Sequence, residues 1–146
     1  PVVTLLKCPP QYPPDAAKLM DLVRLAMALS QRIQARFGAP CCGGIDCGAV
    51  VGGVIDVTSS NYEVFGAGVD SAFSIAAGVT EGIWISTQVH RLLSDDPACP
   101  LQLSDSAHLR GQTPDEEIVA RRVESVITIP RQRSVSFPRQ ASDTEP

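Results

Sequence analysis

Residues 61–86 read NYEVFGAGVDSAFSIAAGVTEGIWIS, and the fold turns on them. The stretch opens with a short aromatic strand over 62–66, built from side chains that favour a pleated surface. A short helix over 69–77 follows, and Gly78 ends it. Residues 82–86 return as a strand, and Ser86 or Thr87 caps a second short helix over 87–94. On the returning strand Trp84 faces away from Ile83 and Ile85. It packs under a helix or at a dimer face, core packing being the default.

Upstream, Leu19, Leu22, Val23, Ala26, Met27, Leu29, Ile33 and Phe37 recur at helical spacing. With Asp15 as cap and Gly38 as stop, they predict one long amphipathic helix over 15–37. The run CCGGIDCGAVVGGVI, residues 41–55, suits a single buried strand, its glycines marking where another backbone or a ligand comes close. A polar turn at 56–61 joins that strand to 62–66 as a hairpin. After a loop at 95–100, weaker strand signals lie at 101–103, 109–110 and 117–126. This order predicts an antiparallel or mixed sheet with helices on one face, an α+β sandwich. Three parts follow: a proline-dense lead-in loop over 1–14, one domain over 15–128, and a polar tail over 129–146 expected to be disordered.

The chain has 146 residues, 44% of them hydrophobic and 19% charged, which is ordinary for one globular domain. A net charge of −4 without a basic stripe argues against a nucleic-acid partner. Cys8, Cys41, Cys42, Cys47 and Cys99 are odd in number and irregular in spacing, as expected of reduced thiols in the cytosol. The run CCGGIDC has no CxxC pair and no nearby histidine, and on one strand Cys42 would face away from Cys41 and Cys47. No metal site is expected there. No apolar run approaches the ~20 residues that cross a bilayer. The chain begins at Pro1. The expectation is therefore a cytoplasmic protein, or the cytosolic part of a larger membrane protein.

The motifs within residues 44–93 resemble the second half of the class III adenylyl/guanylyl cyclase catalytic domain. GIDCGAVVGGV is similar to that family's Gly-Ile-x-x-Gly-x-Val strand. YEVFGAGVDSA is similar to its aromatic-Gly-x-x-Val-Asn-x-Ala element, and GIWISTQVHRLL to the strand and helix that follow. The resemblance spans roughly residues 15–120. It implies a ferredoxin-like cyclase sandwich, here incomplete because the front strands are missing from the chain. It also implies a dimer with nucleotide at the subunit interface.

Cyclisation needs a ribose 3′ oxygen to attack the α-phosphate, with two divalent cations and stabilised charge at phosphorus. The family's metal-binding aspartates sit on strands preceding this stretch, and only Asp15 stands there, reading as a helix cap. Those strands lie upstream of Pro1, or the protein lacks them. Mg²⁺ or Mn²⁺ is therefore expected only with a complete metal-bearing half, and no cofactor is expected in this chain. The family's transition-state arginine maps to Ser74, whose short neutral hydroxyl cannot replace a guanidinium fork. Its ribose-orienting asparagine maps to Asp70, which loses an amide donor and sets a carboxylate near phosphates. The purine-reading position maps to Glu63, two residues before Phe65, with a solvent-facing strand residue as the alternative. Arg110-Gly111 resembles the Lys-Gly that meets the triphosphate, against a plain surface arginine. His90 reads as a helix-surface residue, and neither it nor His108 is assigned a catalytic role.

The tail carries a separate signal, RQRSVSFP at 131–138. Its arginines suit basophilic kinases acting on Ser136 or Ser134, and the pattern fits ligands of 14-3-3 proteins. Three functions follow. One is a degenerate cyclase homology domain, inactive alone and paired with another cyclase homology domain, with ATP or GTP as a possible ligand. The second is the back part of a metal-bearing half that makes cAMP or cGMP with a complementary half. The third is a phospho-regulated scaffold that binds 14-3-3 protein through phosphorylated Ser136.

Overall fold

The computed structural model describes residues 15–54, 62–95, 101–111 and 117–126. The sequence readings at 1–14, 56–61, 96–100 and 129–146 lie outside them.

Helix α1 spans Ala16–Phe37. The Asp15 carboxylate accepts the Ala17 N–H at 3.0 Å, and Gly38, left-handed at φ 65°, donates its N–H to the Gln34 carbonyl at 2.8 Å. Only its first half docks. Leu19, Met20 and Val23 are buried, whereas Leu29, Ile33 and Phe37 are 42%, 38% and 69% exposed. The single core-facing stripe expected from the spacing therefore splits. Phe37 lies about five full turns beyond Leu19 and so points in the same direction. It is exposed because the far end of α1 runs past the core, where every residue from 31 to 37 is exposed.

The run 41–55 is two strands, not one. Strand β1, Cys42–Ile45, belongs to a four-stranded sheet, and β2, Val51–Val54, pairs antiparallel with β3, Tyr62–Phe65, as a separate hairpin. Between them the backbone at Gly48 meets the backbone at Gly68, and a β-carbon on Gly48 would lie 2.8 Å from the Gly68 nitrogen. That close crossing turns the chain out of the sheet.

Helix α2 spans Ala67–Gly78, β4 Gly82–Ser86, α3 Thr87–Ser94, β5 Leu101–Arg110 and β6 Glu117–Val126. The four-stranded sheet has the order β1-β4-β6-β5, with β1 and β4 parallel and the other neighbours antiparallel. It is the mixed α+β sheet that the element order implied. Strand β5 joins the two predicted fragments into one, because register shifts between Gln102 and Ser106 absorb the polar Ser104-Asp105 stretch.

The helices do not share one face. Helices α1 and α3 bury Leu19, Met20, Val23, Val89 and Leu93 against Ile45, Ile83, Ile85 and Val123. Helix α2 packs Ile75 on the opposite face against Trp84, Ile118 and Ala120. The cause lies in β4, where Ile83, Trp84, Ile85 and Ser86 are all buried. Side chains alternate along a strand, so a strand buried at every position needs cover on both sides.

Candidate functional site

Hairpin register decides which side chains meet. Val51 pairs with Phe65 and Gly53 with Glu63, so these four share one face. Val51 and Phe65 are 72% and 48% exposed, and open space lies where a Gly53 side chain would stand. The result is an apolar floor beside an exposed carboxylate. On the other face the Tyr62 hydroxyl lies over Gly52, where a β-carbon would collide with it.

Gly66 leads from this hairpin into α2. Asp70 lies in the first turn of α2, where the partial positive charge of the helix start favours a carboxylate. Its N–H donates to the Gly66 carbonyl at 3.0 Å. Ser74 stands one turn further along the same face, and both residues are half-buried. Arg110 is exposed at the end of β5, opposite Glu117. Its neighbour Leu109 packs on Gly78, at the far end of α2 from Asp70. Eight helical residues separate those ends, roughly 12 Å. Within one copy, then, Glu63 and Phe65 are brought together, Asp70 and Ser74 are brought together, and Arg110 stands apart.

A polar group at the end of the sheet escaped the sequence reading. The Ser86 hydroxyl, on a 6% exposed side chain, donates to the Asp46 carboxylate at 2.5 Å and accepts the Val89 N–H at 3.2 Å. It therefore caps α3 while tying down the chain that leaves β1. The Thr87 hydroxyl donates to the Val119 carbonyl at 3.0 Å nearby. One signal was present in the sequence: the neighbouring apolar runs CGGI and GIWIS each end at a polar residue.

Burial, and then the Asp46 carboxylate, push the Cys47 thiol up to about 11. It is held protonated at neutral pH, unlike a thiolate nucleophile or metal ligand. Cys42 is exposed, and its Sγ donates to the Ala76 carbonyl at 3.4 Å. Because β1 covers only Cys42–Ile45, neither Cys41 nor Cys47 is on a strand. Among the described residues, no group of three or more His, Cys, Asp or Glu is placed to hold a metal. His90 is half-buried rather than on the helix surface, and burial followed by the Arg121 charge lowers its pKa. His108 Nδ1 lies 2.6 Å from Glu117 Oε1, both side chains being exposed. Trp84 donates its indole N–H to the Glu81 carbonyl at 2.8 Å under α2. Ser134 and Ser136 lie outside the described residues.

Chemically, the hairpin face offers stacking area and a hydrogen-bond acceptor. The α2 face offers one carboxylate and one hydroxyl. Glu63, Phe65, Asp70 and Ser74 bring no positive charge. No described helix is long and apolar enough to cross a membrane. The family model described as the adenylate and guanylate cyclase catalytic domain matches residues 10–122. No curated protein and no solved structure matches the chain significantly.

Proposed function

Because the chain belongs to the adenylate and guanylate cyclase catalytic domain family, we propose that it is a degenerate cyclase homology domain, inactive alone, that acts as the regulatory or partner half in cyclic nucleotide signalling. The observation that carries this reading is the α2 face. By the resemblance to the family's motif, Asp70 and Ser74 on that face stand in for the ribose-orienting asparagine and the transition-state arginine. Loss of a phosphoryl-clamping arginine lowers rates by about 10³–10⁵. In this reading the metal-binding aspartates come from a complementary half.

In this reading the domain pairs with another cyclase homology domain on the cytoplasmic side. ATP or GTP lies at the shared face. Glu63 accepts hydrogen bonds from the base, Phe65 and Val51 stack beneath it, and Arg110 meets phosphate carried on the partner side. Purified chain given ATP or GTP with Mn²⁺ is expected to yield no cyclic nucleotide. Turnover by the chain alone rejects the proposal.

A second reading draws on the same two residues. Asp70 and Ser74 are what a metal-bearing half carries, the asparagine and arginine then coming from its complement. A metal-bearing half also needs the family's two metal-binding aspartates, so the residues encoded before Pro1 separate the readings. An aromatic-Asp-x-x-x-Phe strand and a Gly-Asp hairpin there favour the second, and their absence favours the first. The tail sequence RQRSVSFP supports a further role, docking to 14-3-3 protein after phosphorylation of Ser136. A phosphoserine-136 peptide that binds no 14-3-3 protein below ~100 μM removes that role.

A further inference from the structure

Helix α1 carries more apolar surface than the body of the protein covers. Leu25, Leu29, Ile33 and Phe37 are all exposed, and every residue from 31 to 40 is exposed. These four lie at intervals of four residues, so they form a single ridge along the helix. A helix end standing clear of its core gains little from tertiary packing, and isolated short helices are marginal in water.

The charges along this ridge run in one direction. Asp21 stands at its start, and the only charged residues after it on α1 are Arg24, Arg32 and Arg36. Asp21 holds Arg24 at 3.1 Å, with both side chains reaching solvent, and Arg36 lies 5.8 Å over the Phe37 ring. A second α1 laid parallel would set arginine against arginine. Laid antiparallel about Leu29, it sets Leu25 against the other copy's Ile33 and brings Asp21 beside the other copy's Arg36, twice by symmetry. Such a two-fold contact is self-complementary in both shape and charge.

We infer that α1 is a self-association face, through which two copies of this chain pair as antiparallel helices centred on Leu29. The inference draws nothing from the nucleotide reading, which uses the hairpin and α2. A single helix pair buries less than a standard interface, so the dimer is weak, with Kd of about 10–100 μM.

Sedimentation equilibrium of the whole chain tests it. L29K places two like charges on the symmetry axis and is expected to weaken association at least ~10-fold. D21R and R36E each weaken it as well. The double variant D21R/R36E exchanges the charges across the axis and restores association, which a variant harmed only in folding would not do; far-ultraviolet circular dichroism checks that α1 persists in each. A chain that stays monomeric to ~500 μM overturns the inference. So does a dimer that survives L29K and both charge reversals but is lost in V54E, because the contact then lies on the hairpin. In that last case, pairing with another cyclase homology domain still stands.

Discussion

His90 is half-buried on α3 and faces Arg121, and both burial and that charge lower its pKa from 6.5. The folded state therefore resists protonating it, whereas the unfolded chain does not. Its share of stability is fully present above the unfolded value and is lost as pH falls through 6.5 toward the lower folded value. Urea unfolding between pH 7.5 and 5.5 is expected to show stability falling with acid, and H90Q to flatten that slope. A steeper slope in H90Q would reverse the assigned sign. At this scale the sequence named Glu63, Phe65, Asp70, Ser74 and Arg110, because each sits within a local motif. It missed the Asp46–Ser86 pair, whose members are forty residues apart and meet only because β1 and β4 pair in parallel. The Arg121 that perturbs His90 was illegible for the same reason, since its placement depends on how β6 lies beneath α3.

Among the elements, α1, β4, α3 and β6 were legible because caps, glycine stops and apolar alternation mark their ends locally. The break between β1 and β2 was not. Nothing in CCGGIDCGAVVGGVI shows which glycine meets which backbone. Gly44 lies directly beneath α2. A β-carbon there would collide with the Ala72 carbonyl, lie 2.8 Å from the Ile75 β-carbon and 2.9 Å from the Ala76 nitrogen. Most of that opposition is helix backbone, which cannot rotate aside as a flexible side chain would. G44A is therefore expected to lift α2 from β1 and destabilise by about 1–3 kcal/mol, read from the urea midpoint at unchanged slope. G53A supplies the contrast, since open space surrounds its added methyl. It is expected to be neutral or mildly stabilising, as an alanine loses less backbone freedom than a glycine. Equal losses in the two variants would show that strand propensity, not the α2 contact, sets the cost.

For the molecule as a whole, the order of elements suggested helices on one face, and the burial of every side chain from Ile83 to Ser86 requires two. Linear order cannot state on which side a crossover helix lands, so this part of the architecture had to come from the structure. The two faces are also unequal. The α1/α3 side gathers nine buried residues and the α2 side four. Beyond both stands the β2–β3 hairpin, a two-stranded sheet with no buried residue. Local opening follows buried contacts, so protection should fall outward from β4. Strand β4 has hydrogen-bonded neighbours on both edges and cover on both faces, and its amides are expected to exchange slowest. Those of α2 should come next, and those of the hairpin should exchange close to the unprotected rate, as suits a two-stranded unit without a core. Native-state hydrogen exchange measures the ranking directly. A hairpin slower than α2 in dilute protein would mean that another part of the chain covers it. Residues 31–37 of α1 add a concentration dependence. They should exchange fast in dilute protein and slow as copies pair, while β4 stays unchanged.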